Sequence, residues 1–149
     1  MRLWIDADAA PRLMKEVVYR VSDRLRLDVT LVANRWQRTP LSRYITMIVV
    51  GDGFDEADDY IADHCESGDI VVTADILLAD RIVSKGVALI TPNGNELDAD
   101  NIAERVGKRN FMEEARSAEL VSGGAAPYGD KDRQRFANTL DRLITRCRG

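Results

Sequence analysis

The chain has 149 residues, 45% of them apolar, and a formal charge of −4, which allows one domain to bury roughly two-thirds of its unfolded surface without disulfides. The net negative charge argues against a general, high-affinity nucleic-acid binder, whose affinity would come largely from phosphate neutralisation. The average hides an asymmetry: residues 1–100 carry 11 Lys or Arg against 18 Asp or Glu, and residues 101–149 carry 10 against 7. This is either scatter on solvated helices or an acidic site beside a basic clamp for a phosphate-bearing substrate.

In chain order, Leu3–Ile5 reads as a short buried strand. Pro11–Leu25 follows with Leu13, Met14, Val17, Val18, Val21 and Leu25 at helical spacing, and proline is acceptable in a first turn. Val29–Ala33 is a second strand. After the polar segment Arg35–Arg43 comes the strand Met47–Val50 and the turn Gly51-Asp52-Gly53. Phe54–Cys65 reads as a helix, Ile70–Thr73 as a strand, Ile76–Lys85 as a helix stopped by Gly86, and Val87–Ile90 as a strand. Such alternation predicts a mostly parallel sheet with helices on both faces. Residues 101–149 read as a helical extension of the same domain: Asn101–Ala118 shifts phase around Gly107–Asn110, Ser122–Lys131 is a loop, and Asp132–Arg146 is amphipathic.

No run reaches the ~18 apolar residues of a membrane span. Met1-Arg2 leads straight into a strand rather than a signal peptide, and Cys65 and Cys147 lack metal-ligand spacing, so a cytoplasmic protein with reduced thiols is expected.

Chemistry gathers on aspartates. Asp6-Ala7-Asp8 closes the first strand and Thr73-Ala74-Asp75 closes the strand that begins at Ile70. Ligands of open α/β sheets bind at the carboxyl ends of strands, so Asp6 and Asp75 meet if their strands are neighbours where the winding reverses. On the helix of residues 54–65, Phe54, Ala57, Ile61 and Cys65 define an apolar face. Asp58 falls inside that face, while Asp55 and Asp59 lie at its edge. A carboxylate there needs a cation, a basic partner or a cleft. All-oxygen donors suit Mg²⁺ or Mn²⁺ rather than zinc, because His64 is the single histidine and reads as a boundary residue.

The segments DADAAP (6–11), GDGFDEADDYIAD (51–63), GDIVVTADILLA (68–79), KGVALITPNG (85–94) and DRQRFANTLDRL (132–143) resemble the YaiI/YqxD family of bacterial proteins over nearly the whole chain. That family is similar to PIN-like domains, the fold of many metal-dependent nucleases. The resemblance implies a PIN-like three-layer α/β/α fold with a mostly parallel sheet and a helical C-terminal extension. By position it marks Asp6, Asp8, Asp58, Asp59 and Asp75 as metal ligands, with Asp80 a weaker candidate. The family commonly has Cys where this chain has Ala10 and Pro where it has Leu77, so any shared chemistry falls to the carboxylates and not to a thiol.

These residues support a nuclease in which Asp6, Asp58 and Asp75 hold Mg²⁺ or Mn²⁺ to orient a phosphodiester, activate water and stabilise the leaving oxygen, on RNA in preference to DNA. Arg12, Lys15, Arg105, Lys108 and Arg109 could neutralise flanking phosphates. Trp36 could stack on a base, although core or interface packing is the commoner fate of a tryptophan. One alternative is a non-catalytic PIN-like module that binds nucleic acid, a nucleotide or a protein. Another is a haloacid-dehalogenase-type phosphatase, since Asp6-Ala7-Asp8 resembles its nucleophile motif and Gly51-Asp52-Gly53-Phe54-Asp55 its acidic motif. The short spacing between the two segments and Ala10 oppose that reading. Gly123-Gly124 lacks the Lys-Ser of a P-loop and reads as a turn.

Overall fold

The computed structural model describes residues 1–53, 55–107 and 127–148. Six strands form one sheet in the order β3-β2-β1-β4-β5-β6: β1 (Leu3–Asp6), β2 (Val29–Ala33), β3 (Ile45–Val49), β4 (Ile70–Val72), β5 (Ala88–Ile90) and β6 (Glu96–Leu97). The first five are parallel, and β6 returns antiparallel to β5. The central strands are mostly apolar, apart from Thr30 in β2 and Asp6 at the end of β1, because helices cover both faces, and alternate side chains serve different layers. Leu3, Ile5, Val29, Leu31, Ile70, Val72 and Ile90 join one core, while Trp4, Val32, Val71 and Leu89 join the other.

The first core is roofed by α1 (Arg12–Leu25), through Met14, Val17, Val18 and Val21, and by the C-terminal helix, through Phe136, Leu140, Leu143 and Ile144. The second is roofed by α2 (Glu56–His64), α3 (Ile76–Ile82) and α4 (residues 99–107), through Ala57, Ile61, Leu78, Ala79, Ile82 and Ile102. The arrangement is therefore three layers, α/β/α, with the C-terminal helix α5 (Asp130–Arg148) as the extension. A close backbone approach seats α5. Gly94 turns with φ 89°, and a Cβ there would lie 2.5 Å from the Arg135 carbonyl carbon. Thr139 Oγ1 donates to the Gly94 carbonyl at 2.7 Å.

Several boundaries move. The third strand begins at Ile45 rather than Met47, because its pairing with β2 starts at Val29↔Ile45. The helix expected from Phe54 begins at Glu56, after Asp55 takes a left-handed φ of 63°. The helix after Ile76 tightens into a 3-10 turn over Val83–Lys85 before Gly86. Helix α5 starts at Asp130, inside the expected loop. Strand β6 was not foreseen; two residues carry too little pattern to show. The rest of the Asn101–Ala118 segment, including Lys108 and Arg109, and Gly123-Gly124 lie outside the described residues. No described helix is long and apolar enough to cross a membrane. Cys65 and Cys147 are free thiols, Cys65 buried.

Candidate acidic site at the sheet switch point

The winding reverses between β1 and β4, which pair in parallel with Ile5 opposite Val72, so the segments following both strands emerge side by side at the carboxyl edge. Asp6 ends β1, and Thr73 Oγ1 donates to its Oδ2 at 3.0 Å. The same Thr73 oxygen accepts the Asp75 amide at 3.0 Å. One hydroxyl thus ties together the ends of two strands. Asp75 caps α3: its Oδ1 accepts the amides of Leu77 and Leu78 at 2.9 and 3.3 Å, the bond pattern expected of an N-cap aspartate.

Helix α2 leans over this edge. Its apolar face of Ala57, Ile61 and Cys65 is buried as the spacing predicts, and Asp58 beside it is half-buried. Asp58 shares a side-chain hydrogen bond with Asp75. Burial, that bond, and the charges of Asp75, Asp6 and Asp55 together push its carboxyl up to about 7. The Asp6 carboxyl is also raised, first by burial and then by the charges of Asp75 and Asp8, against a lowering by the Thr73 hydroxyl. Asp58 therefore keeps its proton to a higher pH than an isolated aspartate does, because burial and its acidic neighbours disfavour the charged form.

In front of these groups lies a cleft of about 370 Å³ lined by Asp6, Asp8, Asn34, Asp52, Asp55 and Asp58, among others. Asp8 is exposed at its mouth, with both carboxylate oxygens accepting the Asn34 amide at 3.0 and 2.9 Å; this clips the β1–α1 loop to the end of β2. Asp52 and Asp55 of the phosphatase-like motif follow β3, two strands away from β1, and line the same cleft as Asp6 and Asp58.

Other predicted residues go elsewhere. Asp59 is exposed and pairs with Arg81 at 2.9 Å, one helix position past Asp58 and directed away from the cleft lining. Asp80 is exposed on α3. Arg12 pairs with Glu16 at 3.0 Å. Lys15 donates to Gln37 Oε1 at 2.9 Å, and Gln37 Nε2 donates to the Ala7 carbonyl at 3.1 Å, which brings that basic group beside the Asp6–Asp8 loop. Arg105 lies on α4. Trp36 is 70% exposed and so does not pack in the core of this chain. His64 is exposed as expected, and its ring stacks on Tyr60 with centroids 4.0 Å apart. Sequence reasoning missed Thr73 and Gln37, whose roles arise from contacts distant in sequence; a hydroxyl between a strand end and an N-cap Asp was the one available signal.

Among the described residues, the cleft lining offers oxygen donors from Asp6, Asp8 and Asp58 and no Cys or His, and Asp75 stands behind it without lining it. Among the described residues, no group of three or more His, Cys, Asp and Glu side chains is in an arrangement ready to hold a metal ion.

Fold and site define a parallel α/β protein with interacting carboxyls at its switch point. The chain belongs to the family described as "Uncharacterized BCR, YaiI/YqxD family", whose model matches residues 4–146. It is 48% identical over 146 residues to a UPF0178 protein of Pseudomonas fluorescens (strain Pf0-1), covering 98% of this chain and 97% of the relative. It is 51% identical to UPF0178 proteins of Geobacter metallireducens and Trichlorobacter lovleyi, covering 98% of this chain and 94% and 95% of theirs. No solved structure matches.

Proposed function

We propose that the protein is a divalent-metal-dependent nuclease, acting on RNA in preference to DNA in the cytoplasm, with Asp6, Asp58 and Asp75 as its metal-holding carboxylates and Asp8 beside them. The observation that carries this reading is geometric: one Thr73 hydroxyl ties Asp6 to the Asp75 amide at the switch point, and Asp58 of α2 lines the same cleft as Asp6, where burial and its acidic neighbours push its carboxyl up to about 7. A site that retains a proton to relieve carboxylate repulsion is one where a hard divalent cation relieves the same repulsion more completely. Bound there, Mg²⁺ or Mn²⁺ would supply Lewis acidity for the scissile phosphate and its leaving oxygen.

The chain's own residues have separable tasks. Thr73 holds Asp6 and the Asp75 amide in register. Asp8 fixes the loop over the cleft mouth. Lys15, held by Gln37, provides a positive charge near that loop for a flanking phosphate. Exposed Trp36 offers a stacking face for an unpaired base.

A second reading, a non-catalytic binding module, draws on the capping role of Asp75, whose Oδ1 is already committed to two amides. Single-turnover cleavage of end-labelled single-stranded RNA and DNA separates the two. The nuclease reading expects turnover with Mg²⁺ or Mn²⁺, loss in EDTA, and a fall of at least about 100-fold in Asp6→Asn and Asp75→Asn, the order of effect for removing a group that stabilises transition-state charge. RNA binding without cleavage, or cleavage equal in the variants, overturns it.

A further inference from the structure

Among the described residues, strand β3 is one edge of the sheet, hydrogen-bonded to β2 alone. Its sequence, Ile45-Thr46-Met47-Ile48-Val49, has no charge and no proline, the devices that normally keep an open edge from pairing with another chain. The direction of its free groups follows from the parallel ladder. The Tyr44 carbonyl accepts from Val29 and the Val50 amide donates to Ala33, so the even-numbered residues face β2 and the backbone groups of Ile45, Met47 and Val49 face outward. Of these, the Ile45 amide has a long bond of 3.4 Å to Ser42. Among the described residues, the outward groups of Met47 and Val49 have no partner. Val49 is 49% exposed, and Leu41, just before the strand, is wholly exposed.

Charge is segregated about this edge. Residues 34–50 contain Arg35, Arg38 and Arg43 and no acid, whereas residues 51–80 contain no Lys or Arg and begin with Asp52, Asp55 and Glu56. Arg43 is exposed but oriented by its neighbour: its Nη2 donates to Tyr44 Oη at 2.8 Å, with the guanidinium 5.0 Å from that ring's centroid. The strand therefore runs from a basic end to an acidic end. A parallel neighbour of the same sequence would set like charges side by side; an antiparallel one sets opposite charges side by side, twice.

We propose that this edge pairs with a second copy of the chain, antiparallel about a two-fold axis at Met47, continuing the sheet across the dimer and bringing Arg43 of each copy beside Asp52 of the other. In this register Met47 of each copy exchanges both backbone bonds with Met47 of the other, and each Val49 amide donates to the opposite Ile45 carbonyl. Every one of these groups points outward, and the Ile45–Ser42 bond stays intact. The contact is isologous and closes on itself, as a two-fold interface must. Among the described residues, the lining of the acidic cleft includes Asp52 but no Lys or Arg, and the second copy's Arg43 arrives at its rim. The pairing rests on the edge and its flanking charges, independently of whether the cleft cleaves RNA.

Sedimentation velocity over a wide concentration range tests it. The wild type should form a species of twice 16.7 kDa that weakens as salt rises. Met47→Pro removes an amide that faces away from β2, so the monomer keeps its ladder while the dimer loses its central bonds. Its circular dichroism should match the wild type and its dimerisation should weaken at least about tenfold. Arg43→Glu should weaken it comparably, and Arg43→Glu combined with Asp52→Arg should restore it to within a few-fold. A monomer at every concentration overturns the proposal. So does a dimer that withstands both Met47→Pro and Arg43→Glu, or a charge swap that fails to restore pairing; the swap decides alone if the proline variant does not fold.

Discussion

Asn at position 58 keeps the shape of a protonated Asp58, can still donate to Asp75, and has no charge to gain. In the folded wild type the Asp58 carboxyl is raised from 3.8 to about 7 by burial and its acidic neighbours. Between those values the folded state binds more proton than the unfolded chain, so stability falls as pH rises through the window and levels off above about 7. In a dry site that shift would amount to about 4 kcal/mol at about 1.4 kcal/mol per tenfold change. Asp58 is only half-buried, and solvent screening reduces the figure to about 1–2 kcal/mol. Asp58→Asn should therefore be nearly neutral at pH 4 and stabilising by about 1–2 kcal/mol at pH 8, a rise of roughly 3–6 °C in Tm for a chain of this size. Thermal melts in EDTA at half-unit pH steps provide the assay. Parallel pH profiles for wild type and variant would refute the reasoning, because the proton would then not reside at Asp58.

Asp69 is a buried carboxylate of a different kind, accepting the Arg2 and Glu66 amides and Trp4 Nε1 at 2.9–3.0 Å. Asp69→Ala orphans these donors and should cost about 3 kcal/mol or more in urea unfolding, whereas Asp59→Ala, breaking an exposed pair with Arg81, should cost under about 1 kcal/mol. Gly94→Ala should destabilise by about 3 kcal/mol or more and loosen α5, seen as faster amide exchange at Phe136–Leu140, since the added Cβ meets Arg135 backbone at a left-handed φ. Thr73→Val removes the hydroxyl that lowers the Asp6 carboxyl, so carboxyl-resolved NMR titration should find Asp6 protonating at higher pH than in wild type.

The sheet was legible because its central strands carry continuous apolar runs and its helices a 3.6-residue period, and the adjacency of β1 and β4 follows from reversing the winding. Asp6, Asp58 and Asp75 could be brought together on that basis: two at strand ends and one beside an apolar helix face. The same pattern put Asp58 inside the α2 apolar face and Asp59 at its edge, but it could not name the partner that Asp59 finds there. Arg81, one helix away, captures Asp59. Asp75 illustrates a different limit. A strand-end aspartate before a helix fits a ligand or a cap equally well, and here the cap is occupied while the same carboxyl bonds Asp58. Trp36 lies outside the core of this chain, which its residue type alone could not tell, since tryptophan packs in cores and at interfaces alike. Asp69 escaped notice since its three donors come from Arg2, Trp4 and Glu66, two of them distant in sequence.

The most direct test of the central claim is anomalous scattering from crystals of the protein soaked in Mn²⁺ above pH 7, where Asp58 is ionised. The account predicts a peak bonded at roughly 2.0–2.6 Å to carboxylate oxygens of Asp6, Asp58 and Asp75, absent in Asp6→Asn crystals treated alike. A peak confined to the outer acids Asp52, Asp55 and Glu56, or none at all at saturating metal, would contradict it.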